Sequence, residues 1–162
     1  MKLCVIPGSF DPPTNGHVDL IKRASALFEN IVVLVAKNSG KTCLFSASER
    51  KKMLEDIFSD SSKIKVDVCD GLVANYASKI GADTLVRGIR NAADYSYETE
   101  IYQVNKTICP GLETVFIPAS TSLSSIRSSS IRELALYDMD VSLFVPEVVN
   151  RNILNKRKSA AK

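Results

Sequence analysis

Short apolar runs alternate with stretches of helical periodicity along this chain of 162 residues. Four of the runs are rich in β-branched residues and predict strands over 3–6, 31–36, 84–86 and 114–117, and a weaker alternating run predicts another over 64–68. Between them, apolar residues recur every three or four positions. That spacing predicts amphipathic helices over 18–28, 53–58 and 73–80, and the stretch 93–108 also has a helical pattern.

Polar residues and a proline mark the expected helix ends. Ser46 and Ser130 each stand three positions before a glutamate, which is the spacing of a capping box. Asp70 is placed to cap the helical segment that opens at Gly71. Pro146 suits the first turn of a last helix, because an amide donor is not needed there.

The alternation of strands and helices predicts the fold class. Continuous apolar strands separated by helices are typical of a doubly wound α/β fold, here a five-stranded, mainly parallel, Rossmann-like sheet with helices on both faces. The length suits a single domain over 1–162. Because such sheets bind ligands at the carboxyl ends of their strands, we expect the chemistry in the loops after Ile6, Ala36, Val86 and Ile117.

Charge and cysteine usage argue against several classes of protein. The formal charge of +3 comes from 21 basic and 18 acidic residues, and part of it lies in a tail from about residue 156 that we expect to be frayed. This excess is too small and local for a nucleic-acid track. With one histidine and no C-x-x-C pair, a structural metal site is not expected. Cys4 and Cys69 in strand-like runs favour a reducing cytoplasm, and no apolar run approaches the ~20 residues of a membrane span.

The segment from Pro7 to His17 follows the first predicted strand and leads into a helix. Gly8 and Gly16 allow the backbone to approach a ligand closely, and the first amides of the helix favour an anion. His17 stands at that end, where it can donate to a phosphoryl oxygen. The glycines are also compatible with ordinary turns, and the histidine with a surface position.

The same segment resembles the nucleotidyltransferase superfamily, in which a G-x-F-D-P-x-x-x-G-H run contains a T/H-x-G-H signature. Both halves of the pattern are present, at 8–12 and 14–17, and their separation also fits. Nearly the whole chain resembles the phosphopantetheine adenylyltransferase family, with Lys41, the run 86–90 and the pair Tyr97-Glu98 in matching order.

The resemblance implies a transferase of coenzyme A biosynthesis, a pantetheine-phosphate adenylyltransferase. The phosphate of 4′-phosphopantetheine would attack the α-phosphorus of ATP in line, giving dephospho-coenzyme A and pyrophosphate without a covalent enzyme intermediate. Mg²⁺ would accompany ATP. The implied assembly is a homo-oligomer, a hexamer, that acts on small molecules, with neither nucleic acid nor membrane as partner.

The resemblance also implies roles for individual residues. His17 would stabilise the transition state, with Lys41 and Arg90 as further catalytic residues. ATP binding is implied for Ser9, Phe10, His17, Gly88, Ile89, Arg90, Glu98, Leu123, Ser124, Ser125, Ile126, Arg127, Ser128 and Ser129. Acceptor binding is implied for Ser9, Lys41, Leu72, Val73, Arg87 and Asn105, with Ile101 and Val104 completing an apolar groove.

Several of these residues have other interpretations. Lys41 lies in a polar loop, where a lysine is usually solvated, and Glu98 within a helix suits a surface ion pair. The serine-rich stretch 124–130 has the composition of a flexible loop, and the groove residues that of a core. Arg127 replaces the first serine of the superfamily's I-S-S-S/T motif, and Leu123 stands where many relatives carry tryptophan. The contact of these two residues with ATP is therefore open, and Arg127 either adds a cation or points to solvent.

Two rival functions are compatible with parts of the pattern. A related enzyme would transfer AMP or CMP to another acceptor, such as nicotinate mononucleotide or glycerol 3-phosphate. A nucleotide-binding module would keep the cradle without turnover. The matches at 86–90 and 97–98 argue against the first rival, and His17 argues against the second, because binding alone needs no transition-state donor.

Overall fold

The computed structural model describes residues 2–37, 40 and 42–160. The strands are β1 (Leu3–Gly8), β2 (Asn30–Ala36), β3 (Ile64–Cys69), β4 (Thr84–Ile89) and β5 (Glu113–Pro118). The helices are α1 (Asn15–Leu27), α2 (Ala47–Ile57), α3 (Val73–Lys79), α4 (Ala92–Ile108), α5 (Ser128–Leu136) and α6 (Glu147–Ala160), with a 3₁₀ turn at Thr121–Leu123. Within these described ranges, no helix has both the length and the apolar character that a bilayer crossing requires.

All five strands are parallel, in the order β3-β2-β1-β4-β5. The chain proceeds outward from β1 to β3 on one side and then crosses to β4 on the other side. The direction of winding therefore reverses between β1 and β4, which leaves a crevice at the carboxyl ends of these two strands. The predicted doubly wound, Rossmann-like sheet is confirmed.

Apolar layers cover both faces of the sheet, because successive side chains of a strand point to opposite faces. In β1, Cys4 and Ile6 pack in the layer that includes Ile21 of α1. Val5, between them in sequence, packs in the opposite layer with Ala77 of α3. Each strand is thus buried from two sides, which explains why its sequence is a continuous apolar run.

A third apolar cluster lies between α2, α5 and α6. It is built from Phe45, Met53, Ile131, Val149 and Ile153, all buried. The cluster anchors α5, whose first turn faces the crevice of the sheet. Residues far from the crevice therefore set the position of one of its walls.

The capping box predicted at Ser46 is confirmed. Ser46 Oγ accepts a hydrogen bond from the Glu49 amide, and the Glu49 carboxylate accepts one from the Ser46 amide. The capping box predicted at Ser130 is wrong, since α5 begins at Ser128 and Ser130 already lies in its first turn. Arg127 is the extended residue before the helix and so stands at the cap position, three residues earlier than the spacing alone indicates.

The predicted cap at Asp70 is wrong as well. Gly71 adopts a φ of +146° and turns the chain, so that α3 begins only at Val73 and has no side-chain cap. The Asp70 carboxylate instead pairs with Lys37 at 3.1 Å. A two-residue turn separates this carboxylate from the amides that it was expected to cap.

The frayed tail expected from about residue 156 is not observed, because α6 continues to Ala160. Arg157 donates hydrogen bonds to the carbonyl oxygens of Ala135 and Met139, at 3.1 and 2.7 Å. Lys156 pairs with Glu49 of α2 at 2.7 Å. These basic residues join α6 to its two neighbours, which a count of charges along the sequence does not reveal.

Replacing Ile153 with alanine is expected to lower the free energy of unfolding by about 2–5 kcal/mol, because the side chain is 1% exposed within the third cluster. Urea unfolding followed by circular dichroism measures this. Leu154→Ala is the matched control, since its neighbouring side chain is 43% exposed and should contribute about 1 kcal/mol or less. Equal losses for the two variants would contradict a packed interface at Ile153.

Candidate active site

A cleft of about 1070 Å³ opens beyond the carboxyl ends of β1 and β4. Its walls are the loop 8–17, the end of β4, the first turns of α4 and the start of α5. The position is the reversal point of the sheet, where ligands of parallel α/β folds bind. The volume is near the upper end of the roughly 300–1,000 Å³ typical of small-molecule sites, so the cleft has room for two substrates.

The loop after β1 folds around Phe10, whose ring is 2% exposed. The ring lies over Gly8, where an added Cβ would stand 2.9 Å from Phe10 Cζ, so only glycine fits. The edge of the ring meets the imidazole of His17 with 4.9 Å between centroids. Phe10 has a φ of 48°, a left-handed conformation that costs an L residue about 1–3 kcal/mol. The packing of its ring and the anchoring of its neighbours must hold this conformation.

Asp11 ties this loop to the chain that precedes α2. Its buried carboxylate accepts hydrogen bonds from the amides of Leu44 and Phe45, at 2.8 and 2.9 Å. The loop after β2 is thereby drawn toward the cleft. Lys41, a predicted catalytic and acceptor-binding residue of that loop, lies outside the described residues.

The start of α5 holds the same loop from the other side. Ser128 Oγ donates to the carbonyl oxygen of Pro12 at 2.8 Å, and Arg132 Nη1 donates to that of Asp11 at 2.6 Å. Both side chains also line the cleft. The serine-rich stretch is therefore an ordered 3₁₀ turn followed by a helix start.

His17 is the third residue of α1, which begins at Asn15 rather than near Val18 as expected. Thr14 caps the helix, and the His17 ring completes a reciprocal capping box with it. The Thr14 amide donates to His17 Nδ1 at 3.0 Å. Because a backbone amide only donates, Nδ1 accepts and the hydrogen of the neutral ring is on Nε2.

The surroundings of His17 keep its ring neutral. Loss of solvent around the imidazole lowers the pKa of His17 to about 4, and the positive charges of Arg90 and Arg87 add to this effect. The ring lines the cleft. At neutral pH the cleft therefore contains an uncharged N–H donor beside two guanidinium groups.

Arg87, at the carboxyl end of β4, forms an ion pair with Glu98 of α4. Its Nε donates to Glu98 Oε2 at 2.7 Å and its Nη2 to Oε1 at 2.5 Å, while Nη1 donates to the Pro7 carbonyl oxygen. The Glu98 side chain is 8% exposed and that of Arg87 27%. Three of the five guanidinium hydrogens are engaged, so two are available to a ligand.

Arg90 forms a second pair of the same kind one turn earlier along α4. Its Nε and Nη2 donate to the two carboxylate oxygens of Asp94, at 2.7 and 3.1 Å, and its amide also donates to Asp94. The hydrogen bond from Arg90 lowers the pKa of the Asp94 carboxyl, with a further contribution from the charge of Arg127. Asp94 thus orients the Arg90 side chain at the rim of the cleft.

The cleft brings together most of the residues predicted for the site. Its lining includes Ser9, Phe10, His17, Leu72, Val73, Arg87, Gly88, Arg90, Glu98, Asn105, Leu123, Ile126, Arg127, Ser128 and Ser129. Tyr97, Ile101 and Val104 of α4 line it as well. Ile89, Ser124 and Ser125 are not part of this lining, and Ser124 Oγ donates to the Thr121 carbonyl oxygen.

Other residues of the cleft were not singled out from the sequence. Arg132 follows Ser128 by four positions, so the two share a face of α5, and this spacing could have identified it. Asp94 precedes Glu98 by four positions on α4 in the same way. Asp19, which accepts from Ser120 Oγ at 2.8 Å across the cleft, carried no local signal.

Acidic residues line the cleft without forming a metal site of their own. Within residues 2–37, 40 and 42–160, no three histidine, cysteine, aspartate or glutamate side chains are grouped to hold a metal ion. The carboxylates of Asp94 and Glu98 are already bound by two arginines. A divalent ion in this cleft would thus take most of its ligands from substrate oxygens, as Mg²⁺ often does.

Comparisons with known proteins agree with this geometry. Residues 5–134 match the cytidylyltransferase-like family. The phosphopantetheine adenylyltransferase of Alkaliphilus metalliredigens (strain QYMF) is 42% identical over 149 residues, which are 92% of this chain and 95% of that relative. The phosphopantetheine adenylyltransferase of Thermotoga neapolitana is 44% identical over 156 residues, 96% of this chain and 97% of the relative.

A solved structure from Vibrio parahaemolyticus, described as a candidate nicotinate-nucleotide adenylyltransferase, superimposes with a TM-score of 0.71. It covers 95% of this chain and 99% of its own, at 19% identity, so the likeness concerns the fold alone. The matches to the two curated relatives cover 92% and 96% of this chain. The chain belongs to the phosphopantetheine adenylyltransferase family, within the cytidylyltransferase-like proteins.

Proposed function

We propose that this protein transfers AMP from ATP to the phosphate of 4′-phosphopantetheine, producing dephospho-coenzyme A and pyrophosphate in coenzyme A biosynthesis. The observation that carries the proposal is the neutral imidazole of His17, held by the α1 cap in a cleft with Arg87 and Arg90. The near full-length identity to two phosphopantetheine adenylyltransferases selects the acceptor.

The reaction needs positioning and charge stabilisation more than a protein nucleophile. A phosphate oxygen of the acceptor attacks the α-phosphorus of ATP, the bond to the bridging oxygen breaks, and pyrophosphate leaves with the electron pair. Negative charge builds up on the oxygens of the α-phosphoryl group. The Nε2–H of His17 donates to one of these oxygens, and its neutrality at pH 7 means that no proton must first be gained or lost.

The two guanidinium groups bind different substrates. Arg87 holds the acceptor phosphate with its two uncommitted hydrogens, assisted by Lys41 and by Ser9 at the end of β1. Arg90 binds the phosphate chain of ATP, and Asp94 keeps its guanidinium oriented until the nucleotide arrives. The two substrates, which repel each other because both are anions, are thereby brought together at modest electrostatic cost.

The remaining proposed ATP contacts come from several walls of the cleft. Gly16 supports this assignment, because an added Cβ would meet its nearest neighbours at 3.6 and 3.7 Å, which is ordinary contact. The protein by itself therefore tolerates alanine there, and the glycine serves the close approach of a ligand. The other proposed ATP contacts in the cleft lining are Phe10, Gly88, Glu98, Leu123, Ile126, Arg127, Ser128 and Ser129. Ile89, Ser124 and Ser125, which adjoin these residues in sequence but are not part of the lining, are also proposed.

The pantetheine arm lies against α3 and α4. Leu72, Val73, Ile101 and Val104 offer an apolar wall, and the Asn105 amide suits the peptide-like groups of the arm. Leu72 and Val104 are large, exposed apolar side chains that both line the cleft, where the arm would cover them.

Mg²⁺ accompanies ATP in this proposal and supplies charge neutralisation between the two substrates. Two carboxylates of the cleft, those of Asp94 and Glu98, are bound by arginines. The ion would therefore take most of its ligands from substrate oxygens. We also infer a single catalytic domain, a cytoplasmic location and a homo-oligomer, a hexamer as the resemblance implies.

Purified protein is expected to release pyrophosphate when supplied with ATP, Mg²⁺ and 4′-phosphopantetheine, because the cleft matches a phosphorylated acceptor. A coupled pyrophosphate assay measures the rate. Pantetheine without its phosphate is the matched control and should give little release, as should nicotinate mononucleotide. No release, or equal release with nicotinate mononucleotide, would contradict the assignment.

His17→Ala is expected to lower kcat by about 100- to 1,000-fold, as loss of one donor to a developing oxyanion does, with little change in the KM for ATP. Steady-state kinetics separates the two constants. Because the ring also caps α1, His17→Gln provides a control that retains a capping-box residue at this position. The glutamine variant should recover stability without recovering kcat; proportional losses in affinity and rate would argue against the proposed role.

The imidazole of His17 is expected to stay neutral from pH 8 to about pH 5 in the folded protein, since its pKa is lowered to about 4. NMR of the ring measures this directly, because the chain contains one histidine and any tag can be removed. In urea the same ring should titrate near its ordinary pKa of about 6.5. The unfolded chain therefore binds a proton first, and the contribution of His17 to stability is lost as pH falls from about 6.5 to 4. A midpoint near 6.5 in the folded protein would refute this environment.

A further inference from the structure

Arg50 of α2 is a buried arginine with no role in the reaction proposed above. It is 3% exposed and is not part of the cleft lining. Its Nη1 donates to the Ser9 carbonyl oxygen at 2.5 Å, and its Nε to that of Ser46 at 3.3 Å. A buried arginine normally has an acidic partner. The ion pairs among the described residues do not include Arg50, so carbonyl groups hold this cation.

The bond to Ser9 determines which way one peptide group faces. In a trans peptide the carbonyl and the following N–H point in opposite directions. Since the Ser9 carbonyl is directed at Arg50 beneath the loop, the Phe10 N–H is directed away from α2. Ser9 and Phe10 both line the cleft, and within the described part of the chain the Phe10 N–H has no acceptor. An unsatisfied amide at an anion-binding cleft is a donor for the ligand.

The same peptide is under backbone strain. Phe10 has a φ of 48°, and rotation of the peptide between Ser9 and Phe10 would let it return to a favourable negative φ. That rotation would also bring the Ser9 carbonyl oxygen into the cleft, with its partial negative charge toward the phosphates. The strained orientation is the one that suits an anion, and Arg50 is the side chain that bonds to the Ser9 carbonyl.

We propose that Arg50 is a positioning residue for adenylyl transfer, holding the Ser9–Phe10 peptide so that the Phe10 N–H faces the phosphate oxygens of the substrates. Its positive charge, which takes part in no ion pair within the described part of the chain, adds a favourable field beneath the loop. This inference rests on the proposed function for its kinetic consequences. Its structural consequence, the direction of one peptide group, does not depend on turnover.

Two substitutions separate the parts played by charge and hydrogen bond. Arg50→Gln removes the charge, and Arg50→Lys keeps the charge but has no planar group to bridge two carbonyls. We expect kcat to fall roughly 100-fold for Arg50→Gln, the loss typical of a misplacement by about 1 Å, and less for Arg50→Lys. The KM for ATP should change by less than tenfold, because the loss concerns the oriented donor.

Control variants distinguish positioning from simple destabilisation. Lys51→Gln alters the neighbouring residue, which pairs only with Glu55 at 3.7 Å among the described ion pairs, and should keep wild-type kcat. Leu112→Ala removes a side chain that is 1% exposed in the apolar layer of Val5 and Ala77, just before β5 and outside the cleft lining, so it lowers stability and should also keep kcat per folded molecule. Rates are normalised to the folded fraction by circular dichroism at a temperature below each melting transition.

Crystal structures of the ligand-free Arg50→Gln and Arg50→Lys proteins supply the readout that needs no turnover. We expect the Ser9 carbonyl to turn from position 50 and Phe10 to adopt a negative φ in the glutamine variant. Wild-type kcat with an unmoved peptide in both variants would overturn the inference while leaving the proposed function intact. An inactive wild-type protein would instead refute the proposed function, and the peptide direction in the variant would still decide the role of Arg50.

Discussion

The hydrogen bond from the Thr14 amide to His17 Nδ1 is the interaction on which the site depends. It is part of the cap of α1, and it gives the Thr14 amide the acceptor that a backbone amide at a helix start needs. By occupying Nδ1 it places the ring hydrogen on Nε2 and fixes the ring at the first turn of α1. The proposed catalyst is thus oriented by the same bond that begins the helix.

The loop before this cap is held by side chains from three directions. The amides that precede α2 bind the Asp11 carboxylate, Arg50 binds the Ser9 carbonyl, and α5 binds the next carbonyls through Ser128 and Arg132. Carbonyl oxygens that are engaged in this way are kept from the cleft. The consequence is that three carbonyl oxygens of the loop are already hydrogen-bonded, which makes the loop more suitable for an anion.

On the opposite wall of the cleft, carboxylates balance the positive charges of two arginines. Arg87 and Arg90 are each paired with a carboxylate of α4, at positions four residues apart on one helix face. The pairs hold two like charges close together without a ligand, and they leave part of each guanidinium available. A cleft lined only with cations would be costly to fold, whereas this arrangement presents cations that are already oriented.

Much of the fold was predictable because each signal was local. The five strands, the two-faced sheet and the Ser46 cap follow from residues within a few positions of one another. The same reasoning failed at Asp70, where a glycine turn moved the cap position two residues later, and at Ser130, where an earlier helix start moved it three residues back. It failed again at the basic end of the chain, because the partners of Arg157 lie about twenty residues away in sequence.

The sequence by itself determined the strand and helix alternation, the motif around His17 and the family, since these depend on periodicity and on residue types at fixed spacing. Only the tertiary structure decided that Arg50 reaches Ser9, that Glu98 and Asp94 hold the two arginines, and that α6 anchors the α5 wall. These contacts join segments distant in sequence, and no local pattern encodes which buried donor meets which carbonyl. Packing of the whole chain selects those partners, because the great majority of buried polar groups must find one.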